Sequence, residues 1–223
     1  MVLLQTGKIQ TIQVGSPHEY DYKRNGIGPD IHWETSFYRT PSPEPRWLYK
    51  THLEGNVQAD TRNHGTAGQV VLMYAATHYP AWREEFNLPG LGPGGFGENF
   101  TVEGFSEENV SIGDIFALGE ARVQVTGPRY PCFKIERRWS HEGLTARVAA
   151  TGRTGWYCRV LKEGQVEPGM PLEQVERPYP DFTMALINDF GHARLKDPVL
   201  ARELAACPLL SDLWQELVVR WLN

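Results

Sequence analysis

Between its first residues and about Arg177 the chain is a series of short β-branched and aromatic runs, cut by glycines and prolines at close intervals. That texture suits a folded or closed sheet and disfavours regularly alternating strand–helix units. The runs KIQTIQV, QVVLMYA, ENFTVEG, ARVQVTG and GWYCRVL read as strands, the first and fourth by apolar–polar alternation. Two helices interrupt them. THYPAWREEF has Thr77 as its expected N-cap, and LTARVAATG runs from Leu144 to a stop at Gly152. The proline-dense YRTPSPEPRWLYK reads as an extended surface loop.

After ERPYPD the pattern becomes helical. DFTMALINDF, DPVLARELAAC and SDLWQELVVRWLN predict three helices, with Asp181, Asp197 and Ser211 or Asp212 as caps and Pro198 in a first turn. Leu213, Trp214, Leu217, Val218 and Trp221 form one apolar stripe on the last helix. The expected architecture is therefore mainly β: a barrel with a few peripheral helices over residues 1–177, and a three-helix appendage over 178–223. The aromatic-rich last helix also suits the interface of a homodimer.

Composition narrows the partners. A net charge of −5 gives no general electrostatic case for nucleic acid or an anionic membrane. No stretch approaches the roughly 20 apolar residues of a membrane helix, and MVLLQTGKIQ is too short for a signal-peptide core. Three widely spaced cysteines, Cys132, Cys158 and Cys207, contain no Cys-x-x-Cys pair. They fit neither a disulfide framework nor a structural zinc site, and point to a reducing cytoplasm.

Cys132 stands apart from the other two thiols. It follows the strand ARVQVTG in the stiff turn PRYPC, and its sequence neighbours Arg129 and Lys134 favour a thiolate, the form that ligates metals or attacks electrophiles. Cys158, in an aromatic strand, and Cys207, beside Pro208, read as structural. In DTRNHG, Arg62 and His64 lie two apart and share one side of an extended backbone, a fixed cation beside a titratable imidazole. LPGLGPGGFGENF lacks the Lys-Ser/Thr of a phosphate loop and opens no helix, so it reads as a flexible loop and candidate lid. A Cys132–His64 hydrolase pair ranks behind metal binding, because the cysteine follows a strand and a turn and does not open a helix.

The segments TGKIQ, LEGNVQAD, NHG, HYPAWREEF, FGENFTVEGFSEENVSIGDIFALGEARVQV, PRYPCFKI and GRTGWYCRVL, in that order, resemble MOSC-domain proteins of the YiiM-like group over about residues 5–177. The resemblance implies a barrel that binds the molybdenum cofactor (molybdopterin), with Cys132 as the protein ligand to the metal. It also implies Arg62 and His64 beside the metal, and Asn99, Arg129 and Lys134 holding the pterin or its phosphate. The activity implied is two-electron reduction of small N-hydroxylated substrates, purines and amidoximes. His64 supplies a proton as the N–O oxygen leaves as water, and a separate reductase supplies electrons, since the chain carries no flavin, haem or iron–sulfur motif. The alternative is a non-catalytic carrier of the cofactor or of persulfide sulfur. The chain departs from the group at Asn56, where aspartate is common, at Thr66, where glycine is common, and near Gln69, where a basic residue is common.

Overall fold

The computed structural model describes residues 4–23, 30–59, 66–192 and 194–220. In chain order the strands are β1 (Thr6–Val14), β2 (His18–Tyr22), β3 (Ile31–Thr35), β4 (Thr40–Pro41), β5 (Arg46–Leu48) and β6 (Val71–Ala75). Next come α1 (His78–Phe86), β7 (Phe100–Glu103), β8 (Ile115–Leu118), β9 (Ala121–Pro128), α2 (Lys134–Trp139) and α3 (Leu144–Thr151). The chain ends with β10 (Trp156–Lys162), β11 (Gly164–Val166), β12 (Pro171–Glu176), α4 (Met184–Gly191), α5 (Pro198–Ala205) and α6 (Asp212–Val219).

Seven strands, in the order β12-β8-β9-β10-β6-β7-β1, close into a barrel through the β1–β12 pairing. Only β6–β7 is parallel among the barrel pairs, and α1 makes that crossover. Strict alternation fails in β1. A bulge between Ile9 and Thr11 lets Ile9 and Ile12, three apart, both point into the core.

Two apolar clusters result. The first fills the barrel and continues without a break into the C-terminal helices, from Val71, Met73, Trp156 and Cys158 to Ile187, Phe190 and Trp214. The second lies on the barrel's outer face, where Tyr74 of β6 meets Trp82 of α1, Phe96, Ile135 of α2 and Val148 of α3. The period-two strand geometry sorts the residues: Val71 and Met73 go inward, Leu72 and Tyr74 outward.

Several expectations change at the element level. YRTPSPEPRWLYK is more than a surface loop, since Thr40–Pro41 pairs with β1, Arg46–Leu48 pairs with β11, and Arg39, Ser42 and Leu48 are buried. Thr77 precedes α1 but has helical dihedrals and accepts no capping bond. Thr183, and not Asp181, caps α4 by accepting the Leu186 N–H. Asp197 caps α5 as expected, with Pro198 in the first turn. In α6 Trp214, Leu217 and Val218 are buried, but Leu213 is 45% exposed and Trp221 lies outside the described residues.

Candidate functional site

The sequence places Cys132 in a turn after β9, and the structure adds a short helix directly behind it. The Cys132 carbonyl accepts the Ile135 N–H (3.2 Å) and the Thr145 hydroxyl (3.2 Å), fixing the turn to both α2 and α3. A helix thus follows the cysteine after all, which removes the structural ground for ranking the hydrolase reading lower. Cys132 remains half-buried, while Cys158 lies in the barrel core and Cys207 is also buried. Burial raises the Cys158 thiol far above its ordinary range, an inert state.

Cys132 opens onto a narrow cleft that is continuous with solvent on the barrel's outer face. Phe37, Leu72, Gly97, Asn99 and Tyr157 form its walls, and Arg39, Arg129 and Lys134 line it with no carboxylate among the described residues. Register explains the convergence. Tyr157 stands between Leu72 of β6 and Gly127 of β9, and the β9 strand delivers the Arg129–Cys132 turn beside it. Arg129 is 3% exposed; one nitrogen donates to the Phe96 carbonyl (2.6 Å) and another reaches 3.7 Å from Cys132 Sγ.

The glycine-rich segment is a wall and not a lid. Residues 94–100 are buried, held by Glu98, a fully buried carboxylate. It accepts from the Gly94 N–H (2.5 Å), the Phe96 N–H (3.2 Å), the Thr101 hydroxyl (2.9 Å) and the Tyr79 hydroxyl. Arg138 donates to the Phe37 and Gly94 carbonyls, and Trp139 donates to Gly95. At Gly97, with φ of +73°, a Cβ would stand 2.6 Å from the Phe37 ring, so both conformation and space demand glycine.

Asn99 lines the cleft, but its side chain serves the barrel. Its Oδ1 accepts the Leu72 N–H (3.1 Å) and its Nδ2 donates to the Gln13 carbonyl (3.4 Å). Asn56, 5% exposed, similarly accepts the Gly15 N–H (3.2 Å). Arg62 and His64 lie outside the described residues.

Sequence reasoning missed two cleft residues. Arg39 is 8% exposed, and its Nε and Nη1 are buried without hydrogen-bond partners among the described residues. Burial, with Arg129 and Arg138 nearby, pushes this guanidinium down to about 10. Its signal was hidden in the proline-dense segment. Tyr157 sits in the strand GWYCRVL, where its outward direction follows only once Cys158 is known to face the core. Burial raises its phenol, against the nearby Arg129 and with a smaller push from Cys132, so it stays protonated.

A seven-stranded barrel with a half-buried cysteine in a cationic outer cleft defines the class. The sequence profile of the MOSC domain matches residues 60–173, and the chain belongs to the MOSC domain family. It is 36% identical over 207 residues to the uncharacterized protein YflK of Bacillus subtilis (strain 168), covering 93% of this chain and 90% of YflK. A Gibberella moniliformis (strain M3125 / FGSC 7600) protein named "Reductase" is 33% identical over 199 residues, spanning 87% of this chain but 35% of that protein. The crystal structure of YiiM from Geobacillus stearothermophilus superposes with a TM-score of 0.79 at 30% identity, covering 98% of this chain and all of that one. Among the described residues no helix is long and apolar enough to cross a membrane.

Proposed function

We propose that the cleft holds the molybdenum cofactor with Cys132 as the protein ligand to the metal, and that the protein reduces N-hydroxylated compounds such as amidoximes and N-hydroxylated purines. The observation that carries this reading is the donor set: one accessible thiol and three cations with no carboxylate among the described residues, and a guanidinium whose Nε and Nη1 are buried without partners among them. Such a set fits an anionic group bearing a soft metal. A thiolate suits the metal, and Arg39 with Lys134 suits a phosphate or other oxyanion.

Bound there, the cofactor supplies two-electron redox chemistry at the metal. The chain's own residues do the rest. Arg129 fixes the Gly-rich wall through Phe96 and stands beside the Cys132 sulfur, so it orients the thiol and would offset the charge the sulfur carries once it ligates a metal. Phe37 and Leu72 keep one side of the cleft apolar and limit water. Tyr157, protonated, offers its hydroxyl as a hydrogen-bond donor to a substrate oxygen, and His64 delivers the proton that oxygen needs to leave as water. Electrons come from a separate reductase.

Protein from a cofactor-competent host should turn over benzamidoxime with a chemical reductant, forming benzamidine, and Cys132→Ser should fall to background. Molybdenum-loaded protein that reduces no N-hydroxylated compound contradicts the catalytic reading and leaves a carrier.

A further inference from the structure

The Cys132 cleft continues into a second one, because Gln69 and Tyr157 line both. The second cleft, roomier than the first and open to solvent, lies between the barrel's outer face and α6. Aromatic and aliphatic side chains form much of its wall, with Thr66, Gln69, Thr126 and Ser211 among them. The Tyr130 and Trp214 rings meet edge to face at 6.1 Å, and Leu213, 45% exposed, forms the rim.

Two of its polar groups are already engaged. Trp214 Nε1 donates to the Pro128 carbonyl (2.7 Å), and the Thr126 hydroxyl donates to the Gly68 carbonyl (2.5 Å), with the Tyr157 carbonyl 3.1 Å away. Gln69 differs in kind, its Oε1 buried without a partner among the described residues. No charged side chain lines this cleft among those residues, in contrast to the cationic cleft beside it.

We propose that the second cleft binds the body of the substrate, an uncharged planar ring carrying an N–H donor for Gln69 Oε1, with its reacting end extended past Tyr157 toward Cys132. This inference rests on the first cleft being the reaction site. The reasons are physical. A neutral ring exchanges water for the Tyr130, Trp214 and Leu213 surfaces and relieves an unpaired buried acceptor, whereas a charged ring gives up more hydration and meets no counter-charge among the described residues. The C-terminal helical unit then supplies one wall of the substrate site as well as part of the core.

The test is calorimetric titration of the purified, metal-free full chain with benzamide and with benzamidinium, which share a shape and differ in charge. Benzamide should bind about tenfold more tightly than benzamidinium. Leu213→Asp, at an exposed position, should reverse that preference, and Gln69→Leu should weaken benzamide several-fold while leaving the fold intact. Equal binding of the two compounds, or benzamide affinity within twofold of wild type in both variants, overturns the proposal. Because this titration needs no metal, a lost preference beside intact amidoxime turnover by the molybdenum-loaded protein condemns the second cleft alone. A preserved preference without turnover condemns the reading of the first.

Discussion

Arg39 carries a positive charge into a site where the protein gives its Nε and Nη1 no partner among the described residues. Desolvation of that guanidinium, only partly offset by Tyr157 and Glu98 and worsened by Arg129 and Arg138, is a standing cost to the cofactor-free fold. Arg39→Met keeps the apolar stem and deletes the charge. We expect it to raise the urea-unfolding free energy of the metal-free protein by about 1 kcal/mol, and at the same time to lower the molybdenum content of protein made in a cofactor-competent host. Lower stability with unchanged molybdenum content would refute the assignment. The arginine also shows what the sequence concealed. A cation in a run of prolines reads as surface, and only the pairing of Thr40–Pro41 with β1 carries its side chain into the cleft.

At the scale of elements, the wall from Gly94 to Phe100 depends on one carboxylate. Glu98 accepts from two backbone amides and two hydroxyls, so Glu98→Ala strands several buried donors at once. It should cost about 3 kcal/mol in urea unfolding, and a loss below about 1 kcal/mol would show that the wall stands without its pin. The barrel strands were legible because burial on one face imposes a two-residue period that survives in the sequence. The glycine-rich wall was not legible as a wall, since its order comes from Glu98, Arg129 and Arg138, which are side-chain contacts rather than local propensities. Helix α2 escaped for a related reason. It has six residues, too few for a helical period to declare itself, and it follows two prolines that announce a turn. The α4 cap was displaced by two residues because Asp181 is a better cap by type, while Thr183 is the residue whose oxygen meets the Leu186 N–H.

For the whole molecule, the barrel and the C-terminal helices share one hydrophobic cluster, so the helical change after Arg177 marks a change of texture within a single packed body. Trp214 joins the two parts. Its indole packs so closely on Gly191 that a Cβ there would overlap the ring, and its nitrogen donates to Pro128 at the end of β9. His192 stacks on Tyr130 (5.4 Å) at the same seam, and burial, reinforced by Arg194, lowers its imidazole below the ordinary 6.5. The unfolded chain therefore takes up a proton more readily than the folded one. Stability is full above about pH 6.5 and is lost as pH falls through the lower folded value. His192→Gln should flatten the acid side of the stability profile, and an unchanged slope would show that the seam does not sense this proton. The same seam leads to Cys132, on which the functional account turns. Its most direct test is the sulfur count from X-ray absorption at the molybdenum edge: Cys132→Ser that still binds the metal should show one sulfur neighbour fewer than wild type, or bind no molybdenum. Full metal content with an unchanged sulfur shell would contradict ligation by Cys132.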